Sequence, residues 1–203
     1  MGFYDRFILP HLVNCACGGR AFARQRELVV PKASGRVIEI GLGSGLNLPL
    51  YSPQTVSEVV GLEPSPSISN LAKKRMDACE FPVSVLESKA EEIELESGSF
   101  DTVLVTYTLC TIEDPAKALK EMARLLKADG QLLFCEHGLA PDESVVVWQR
   151  RINPIWGAIG GGCRLDSDIP ALISQNGFAL ITLDDRETGR VAEELKTTAE
   201  ALP

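Results

Sequence analysis

The chain is short of positive charge, of aromatic residues and of long apolar runs. Its 203 residues include 20 Lys and Arg against 28 Asp and Glu, a formal net charge of −8, and only 6% are aromatic. Binding to nucleic-acid phosphates needs clustered Lys and Arg, so we expect no nucleic-acid partner. No run approaches the roughly 20 apolar residues of a membrane-spanning helix, and we expect at most peripheral membrane contact, through residues 4–13.

The sequence also lacks the cysteine spacing of a structural zinc site. Six cysteines stand at positions 15, 17, 79, 110, 135 and 163, and no two of them form a Cys-x-x-Cys pair. We therefore expect no metal, and we interpret the cysteines as reduced thiols of a cytoplasmic protein. The apolar run from Phe7 to Val13 is broken by Pro10 and His11 and precedes no small-residue cleavage site, so we also expect no export signal.

Short apolar strands alternate with amphipathic helices along the chain. Asp114 and Pro115 are a good N-cap and first position for one such helix, which we expect to end near Gly130. The pattern predicts a Rossmann-like, doubly wound α/β sheet of about six or seven mostly parallel strands with helices on both faces. Six strands are predicted at Arg36–Ile40, Ser57–Leu62, Val83–Leu86, Phe100–Thr106, Gln131–Cys135 and Phe178–Leu183.

The sequence does not decide whether the sheet has a seventh strand at its edge. The segment from Thr188 to Leu202 is polar and is typical of a helix or a frayed tail. The exposed edge could be covered by that tail or by a partner chain. We therefore leave both a monomer and a homodimer as expectations.

A glycine-rich turn follows the first predicted strand. Gly41, Gly43 and Gly45 stand at alternate positions, and Glu63 follows the second strand, 20 residues beyond Gly43. A dinucleotide fingerprint needs a third glycine where this chain has Leu46, because that glycine lets a pyrophosphate approach the helix N-terminus. S-adenosylmethionine (SAM) has no phosphate. The pattern favours SAM, and an NAD(P)-linked oxidoreductase stays as the alternative.

Two carboxylates accompany this turn. Glu63 can accept hydrogen bonds from both ribose hydroxyls of SAM, and Glu39 can attract its amino group directly or through water. The glycines let the backbone pass close to the ligand without a Cβ in the way. The predicted SAM contacts from this region are Glu39, Gly41, Leu42, Gly43, Gly45, Glu63 and Pro64.

Further motifs follow the glycine turn and Glu63 along the chain. Ala90-Glu91 precedes Gly98-Ser-Phe-Asp101, and Leu125 to Gly130 reads Leu-Leu-Lys-Ala-Asp-Gly. Together with the glycine turn and Glu63, they resemble class I SAM-dependent methyltransferases of the quinone and small-molecule type, over residues 36–137. The resemblance implies S-adenosylhomocysteine (SAH) as product. It also implies adenine contacts at Ala90 and Glu91 and methionine contacts at Thr106 and Leu109.

A second set of runs resembles the methyltransferase-like thiol S-methyltransferase branch and its bacterial relatives. This resemblance implies methyl transfer to a small apolar acceptor, with a thiol as one candidate. A phospholipid or quinone acceptor, and SAM binding without catalysis, remain alternatives. The runs are Leu109-Cys110-Thr111, Glu136-His137, Trp148-Gln149, Asn153-Pro154-x-Trp156 and Gly162-Cys163.

Candidate catalytic and acceptor residues lie beyond the fifth strand. His137 directly follows that strand and has an ordinary pKa that suits proton transfer, so we predict that it deprotonates or orients the acceptor, with Glu136 as a second catalytic candidate. Trp148, Trp156 and Tyr4 are the predicted acceptor contacts. A single domain is expected: residues 1–35 as an N-terminal helical lid segment, residues 36–137 as the SAM-binding core, and residues 138–203 as the acceptor lid and C-terminal part.

Overall fold

The computed structural model describes residues 18–184 and 190–197. Tyr4 and the segment 4–13 lie outside the described residues. Short 3-10 helices stand at Val30–Lys32 and Leu48–Leu50. The longer elements are α1 (Arg20–Val29), β1 (Gly35–Ile40), β2 (Val56–Leu62), α2 (Pro66–Met76), β3 (Val83–Leu86), β4 (Phe100–Thr106), α3 (Pro115–Leu125), β5 (Leu126–Glu136), α4 (Glu143–Ile159), α5 (Ile169–Gln175), β6 (Phe178–Asp184) and β7 (Arg190–Thr197).

The strands form one sheet in the order β3-β2-β1-β4-β5-β7-β6. Strands β1 to β5 pair in parallel, and β7 runs antiparallel to both of its neighbours. The strand order reverses between β1 and β4, where a doubly wound sheet places its ligand. The predicted Rossmann-like α/β fold is confirmed.

The polar C-terminal segment is a strand rather than a helix or a tail. Arg190–Thr197 forms β7 and inserts between β5 and β6, with Val191 beside Cys135 and Lys196 beside Ala179. Hydrogen bonding on both sides stabilises this strand although its sequence has little local strand preference, because strand propensity depends strongly on the neighbouring strands. The expectation of a polar helix or frayed tail was wrong for these residues.

Side chains alternate between two buried layers. Ile38 and Ile40 of β1 pack on one face, in a cluster that includes residues of α3 and α5. Val37 packs on the other face, in a cluster that includes Val29 of α1 and Ala72 of α2. This alternation is the period of two expected of a strand covered on both faces.

Helix α3 begins as predicted. The Asp114 side chain accepts a hydrogen bond from the Lys117 amide at 3.0 Å, and Pro115 occupies the first turn. Its end differs from the prediction, because the helix stops at Leu125 and the chain continues directly as β5, with Gly130 inside the strand. The apolar stripe of α3 is fully buried and consists of Ala118, Leu119, Met122 and Leu125.

Helix α4 differs from α3 in its burial, because none of its residues is buried. Seven of its large apolar side chains are exposed: Val145, Val147, Trp148, Ile152, Ile155, Trp156 and Ile159.

None of the helices in the described ranges is both long and apolar enough to cross a membrane.

Candidate active site

A pocket of about 350 Å³ opens at the point where the strand order reverses. Most of the predicted cofactor contacts line it, namely Glu39, Gly41, Leu42, Gly43, Glu63, Pro64, Ala90, Glu91 and Thr106. Two predicted contacts do not line this pocket. Gly45 lies against Leu48 and Ala72, and Leu109 is buried in the core.

The glycine turn presents bare backbone to the pocket. Gly41 and Gly43 have φ angles of 76° and 57°, which favour glycine. A Cβ on Gly41 would overlap the Thr108 side chain, whereas a Cβ on Gly43 would have only the Gly41 carbonyl oxygen nearby, at 3.8 Å. The residues after this turn form the short 3-10 helix Leu48–Leu50 rather than an α-helix. The turn therefore lacks the α-helical N-terminus on which a dinucleotide pyrophosphate rests.

Glu63 holds the other side of the turn. Its Oε2 accepts a hydrogen bond from the Gly43 amide at 3.1 Å, and its Oε1 accepts one from the Ser65 amide at 3.0 Å. Burial raises the pKa of Glu63, and the two backbone hydrogen bonds oppose that rise. Each carboxylate oxygen has a second lone pair, so Glu63 can still accept hydrogen bonds from two vicinal hydroxyls.

Glu39 is the centre of a buried polar network. Asn47 Nδ2 donates to Glu39 Oε1 at 2.9 Å and also to Thr106 Oγ1 at 3.0 Å, while the Tyr51 hydroxyl donates to Glu39 Oε2 at 2.7 Å. Burial raises the pKa of Glu39 to about 7 despite these hydrogen bonds. Both carboxylate oxygens are thus already engaged by protein side chains, although Glu39 borders the pocket.

Asn47 supplies an acceptor that the sequence prediction missed. Its Oδ1 is buried and has no hydrogen-bond partner among the described residues, and Asn47 lines the pocket. A buried polar atom without a partner is costly. A ligand ammonium group would satisfy it, so this part of the pocket fits the amino-acid end of SAM.

Helix α1 covers one side of the pocket. Arg26 lines the pocket, and its guanidinium carbon lies 4.8 Å from the centroid of the Tyr107 ring. The Tyr107 hydroxyl donates to Gln25 of the same helix at 2.6 Å. Arg26 was not predicted as a cofactor contact, because nothing in the sequence around it distinguishes it from an exposed helix residue.

Glu136 and His137 lie away from the pocket lining. The Glu136 carboxylate is fully buried, and its Oε1 accepts hydrogen bonds from the amides of Thr108 at 2.6 Å and Leu109 at 2.9 Å. Burial raises the pKa of Glu136 to about 7. Nε2 of His137 lies 3.3 Å from Cys163 Sγ. The catalytic roles of both residues stay predictions.

The two tryptophans of α4 are on the surface. Trp148 and Trp156 are 60% and 42% exposed, and neither lines the pocket. Gly160 and Gly161, which directly follow α4, do line it. The acceptor role of the tryptophans also stays a prediction.

Comparison with known proteins agrees with this geometry. Residues 38–134 match the family described as a methyltransferase domain. A thiol S-methyltransferase of Rattus norvegicus is 29% identical over 167 residues, which are 80% of this chain and 68% of the rat protein. One from Homo sapiens is 34% identical over 139 residues, which are 66% of this chain and 56% of the human protein.

A solved structure extends the match to the fold. The SAM-dependent methyltransferase of Thermotoga maritima superimposes with a TM-score of 0.63 at 27% identity, covering 87% of this chain and 79% of that one. The family match, the relatives and this likeness all concern methyltransferases, and the pocket holds acceptors suited to a ribose and an ammonium group. In its matched residues and in its fold, the chain resembles the class I SAM-dependent methyltransferases.

Proposed function

We propose that this chain transfers the methyl group of SAM to the sulfur of a small apolar thiol. Bound SAM supplies a methyl group on a positively charged sulfur, which a nucleophile can take up. The chain's own residues then have three tasks: to hold the cofactor, to guide the acceptor and to exclude water.

Residues at the carboxyl ends of β1 and β2 hold the cofactor. Glu63 accepts hydrogen bonds from the ribose hydroxyls, since each of its carboxylate oxygens keeps a free lone pair. Asn47 Oδ1 accepts a hydrogen bond from the ammonium group, and Glu39 fixes the orientation of the Asn47 amide by accepting a hydrogen bond from its Nδ2. Arg26 and Lys89 are basic side chains of the lining, and Lys89 pairs with Glu113 at 3.1 Å, so we assign the carboxylate of SAM to Arg26.

The observation that carries the choice of acceptor is the apolar surface next to the pocket. The large apolar side chains of α4 are exposed, and the chain enters the pocket wall at Gly160 and Gly161 directly after the helix. An apolar molecule that leaves water gains about 25 cal/mol for each Å² buried. No residue of α4 itself lines the pocket, so this surface favours apolar acceptors as they approach and not through contacts inside the pocket. The rat and human relatives, which are named as thiol S-methyltransferases, favour sulfur as the acceptor atom.

Methyl transfer to a thiolate needs alignment more than acid–base chemistry. An ordinary thiol has a pKa near 8.5, so a fraction is already ionised at neutral pH. Holding the thiolate in line with the transferable methyl group, with water excluded, accounts for much of the rate in such reactions. The buried apolar side chain of Ile112 lines the pocket and is suited to this exclusion.

The test is a panel of acceptors with the purified chain and SAM. The panel contains an aryl thiol, a long-chain alkyl thiol, glutathione, vesicles that contain phosphatidylethanolamine, and a reduced quinone. SAH release and the methylated product are measured by mass spectrometry. We expect the two apolar thiols to form methyl thioethers with kcat/KM at least about tenfold above that for glutathione.

Two controls make the result interpretable. At a SAM concentration below its raised Kd, the Glu63→Ala variant should show lower turnover with every acceptor, which separates enzymatic from spontaneous methylation. A chain that methylates only the phospholipid or the quinone would contradict the choice of sulfur. A chain that binds SAM but methylates none of these acceptors would contradict the proposed reaction.

A further inference from the structure

Three metal-ligating side chains meet outside the pocket. Cys110 Sγ, His137 Nε2 and Cys163 Sγ all lie within 4.8 Å of one another, and the two cysteines are buried. Cys163 Sγ and His137 Nε2 lie 3.3 Å apart. None of the three residues lines the pocket. The reaction proposed above does not require this cluster.

The backbone holds the three ligands in place. Cys110 follows β4, His137 follows β5, and Cys163 follows α4. The Arg164 amide donates to the Cys110 carbonyl at 3.0 Å, which ties the first and third of these segments together. The Arg164 guanidinium also donates to the carbonyls of Ile112 at 3.1 Å and Glu113 at 3.2 Å. The segments that carry Cys110 and Cys163 are therefore held together by contacts that do not depend on the ligand side chains.

The donor set is one that a metal ion can use. Two buried cysteines and one imidazole supply sulfur and nitrogen donors at a single point of the fold. Cysteine binds metals as the thiolate.

We propose that Cys110, His137 and Cys163 bind one Zn²⁺ ion. Thiolate and imidazole are ligands that zinc prefers, and two thiolates neutralise its double charge. In a tetrahedral site the ligand atoms are about 3.5–3.8 Å apart, given Zn–S near 2.3 Å and Zn–N near 2.0–2.1 Å. The separations in this cluster, one of which is 3.3 Å and none of which exceeds 4.8 Å, need to change by at most about 1 Å to reach that geometry. Three protein ligands leave the fourth position for water or an exogenous ligand.

Zinc binding can be measured without the methyl transfer reaction. The chain is prepared with Cys15→Ser and Cys17→Ser, because that pair is another source of thiolates. It is stripped with a chelator under a phosphine reductant and titrated with Zn²⁺ against a chromophoric chelator. Co²⁺ is then used as a spectroscopic probe. We expect one Zn²⁺ per chain and, with Co²⁺, thiolate charge-transfer bands with the visible absorption of tetrahedral coordination.

Substitution of the ligands identifies the site. Cys110→Ser, Cys163→Ser and His137→Gln should each lower the Zn²⁺ affinity at least about 100-fold, because loss of a direct ligand costs more than loss of a second-layer partner. Cys79→Ser is the matched control and should leave the affinity unchanged, since Cys79 is a half-buried cysteine outside the cluster. Circular dichroism and SAH binding verify that each variant is folded.

Two results would overturn the zinc site. The first is absence of Zn²⁺ binding at micromolar free metal by the reduced, folded chain. The second is unchanged Zn²⁺ affinity in folded Cys110→Ser and Cys163→Ser variants. Neither result bears on the acceptor panel, because SAH release is scored separately from metal content.

Discussion

Replacing Glu63 by Ala should weaken SAM binding without unfolding the chain. The carboxylate stands at the end of β2, lines the pocket and is only 7% exposed. Its loss removes the acceptor for the ribose hydroxyls and leaves the Gly43 and Ser65 amides, which donate to it at 3.1 and 3.0 Å, without their partner. The glycine turn then loses one of the contacts that fix its position.

The magnitude follows from the strength of hydrogen bonds to a charged group. Each contributes about 1.5–3 kcal/mol, and 1.4 kcal/mol corresponds to a tenfold change in affinity. Loss of a single ribose hydrogen bond therefore raises Kd by roughly tenfold or more. We expect Glu63→Ala to raise the Kd for SAM and for SAH at least about tenfold.

Isothermal titration calorimetry with SAH measures this change. Glu58→Ala is the matched control, because Glu58 lies on the same strand but pairs with Arg36 at 2.6 Å, outside the pocket. The Glu58→Ala variant should bind SAH with the same Kd as the unmodified chain. An unchanged Kd in a folded Glu63→Ala variant would refute the assignment of Glu63 to the ribose.

Two further predictions concern Glu39 and the glycine turn. The pKa of Glu39 rises from 4.5 to about 7 on folding, so its contribution to stability is present below pH 4.5 and is lost as pH rises through 7, by up to about 3 kcal/mol. Denaturant unfolding should show a smaller loss of stability between pH 5 and 8 for Glu39→Gln than for the unmodified chain, and equal losses would contradict the assignment. Gly41→Ala should lower the free energy of unfolding by about 1–3 kcal/mol and weaken SAH binding, because its φ is 76° and its Cβ would overlap Thr108. Gly98→Ala, with φ of 63° but no atom closer than 4.0 Å to its Cβ, isolates the backbone effect and should leave SAH binding unchanged.

The sequence alone was sufficient for the central sheet. Strands β1 and β4 were predicted from short apolar runs, and helix α3 from Asp114, Pro115 and an apolar stripe. These signals are local, because a side chain's face in a helix or strand depends only on its spacing along the chain. The glycine turn and Glu63 could be placed at one pocket for the same reason, since parallel strands end at one edge.

Strand β7 could not be predicted in this way. Five of its eight residues are polar or charged, and the strand exists because β5 and β6 offer hydrogen bonds on both sides. Strand preference in such a segment is a property of its neighbours more than of its own sequence.

The finer structure of the pocket also depended on tertiary contacts. Asn47 and Tyr51 were not predicted as site residues, and only the fold shows that their side chains donate hydrogen bonds to Glu39. Arg26 reaches the pocket because α1 packs over Tyr107. Long-range packing of this kind leaves no periodic signal in the chain.

The cluster of Cys110, His137 and Cys163 is a third feature that only the tertiary structure shows. The prediction of no metal was drawn from linear spacing, in which a zinc site is recognised by closely spaced cysteine pairs. Cys110, His137 and Cys163 come from three segments separated by more than 25 residues each, and they meet only because β4, β5 and α4 end close together. Sequence determines which residue types are available and which strand each one follows. The tertiary structure decides which of them come within bonding distance, because that depends on contacts between residues far apart in the chain.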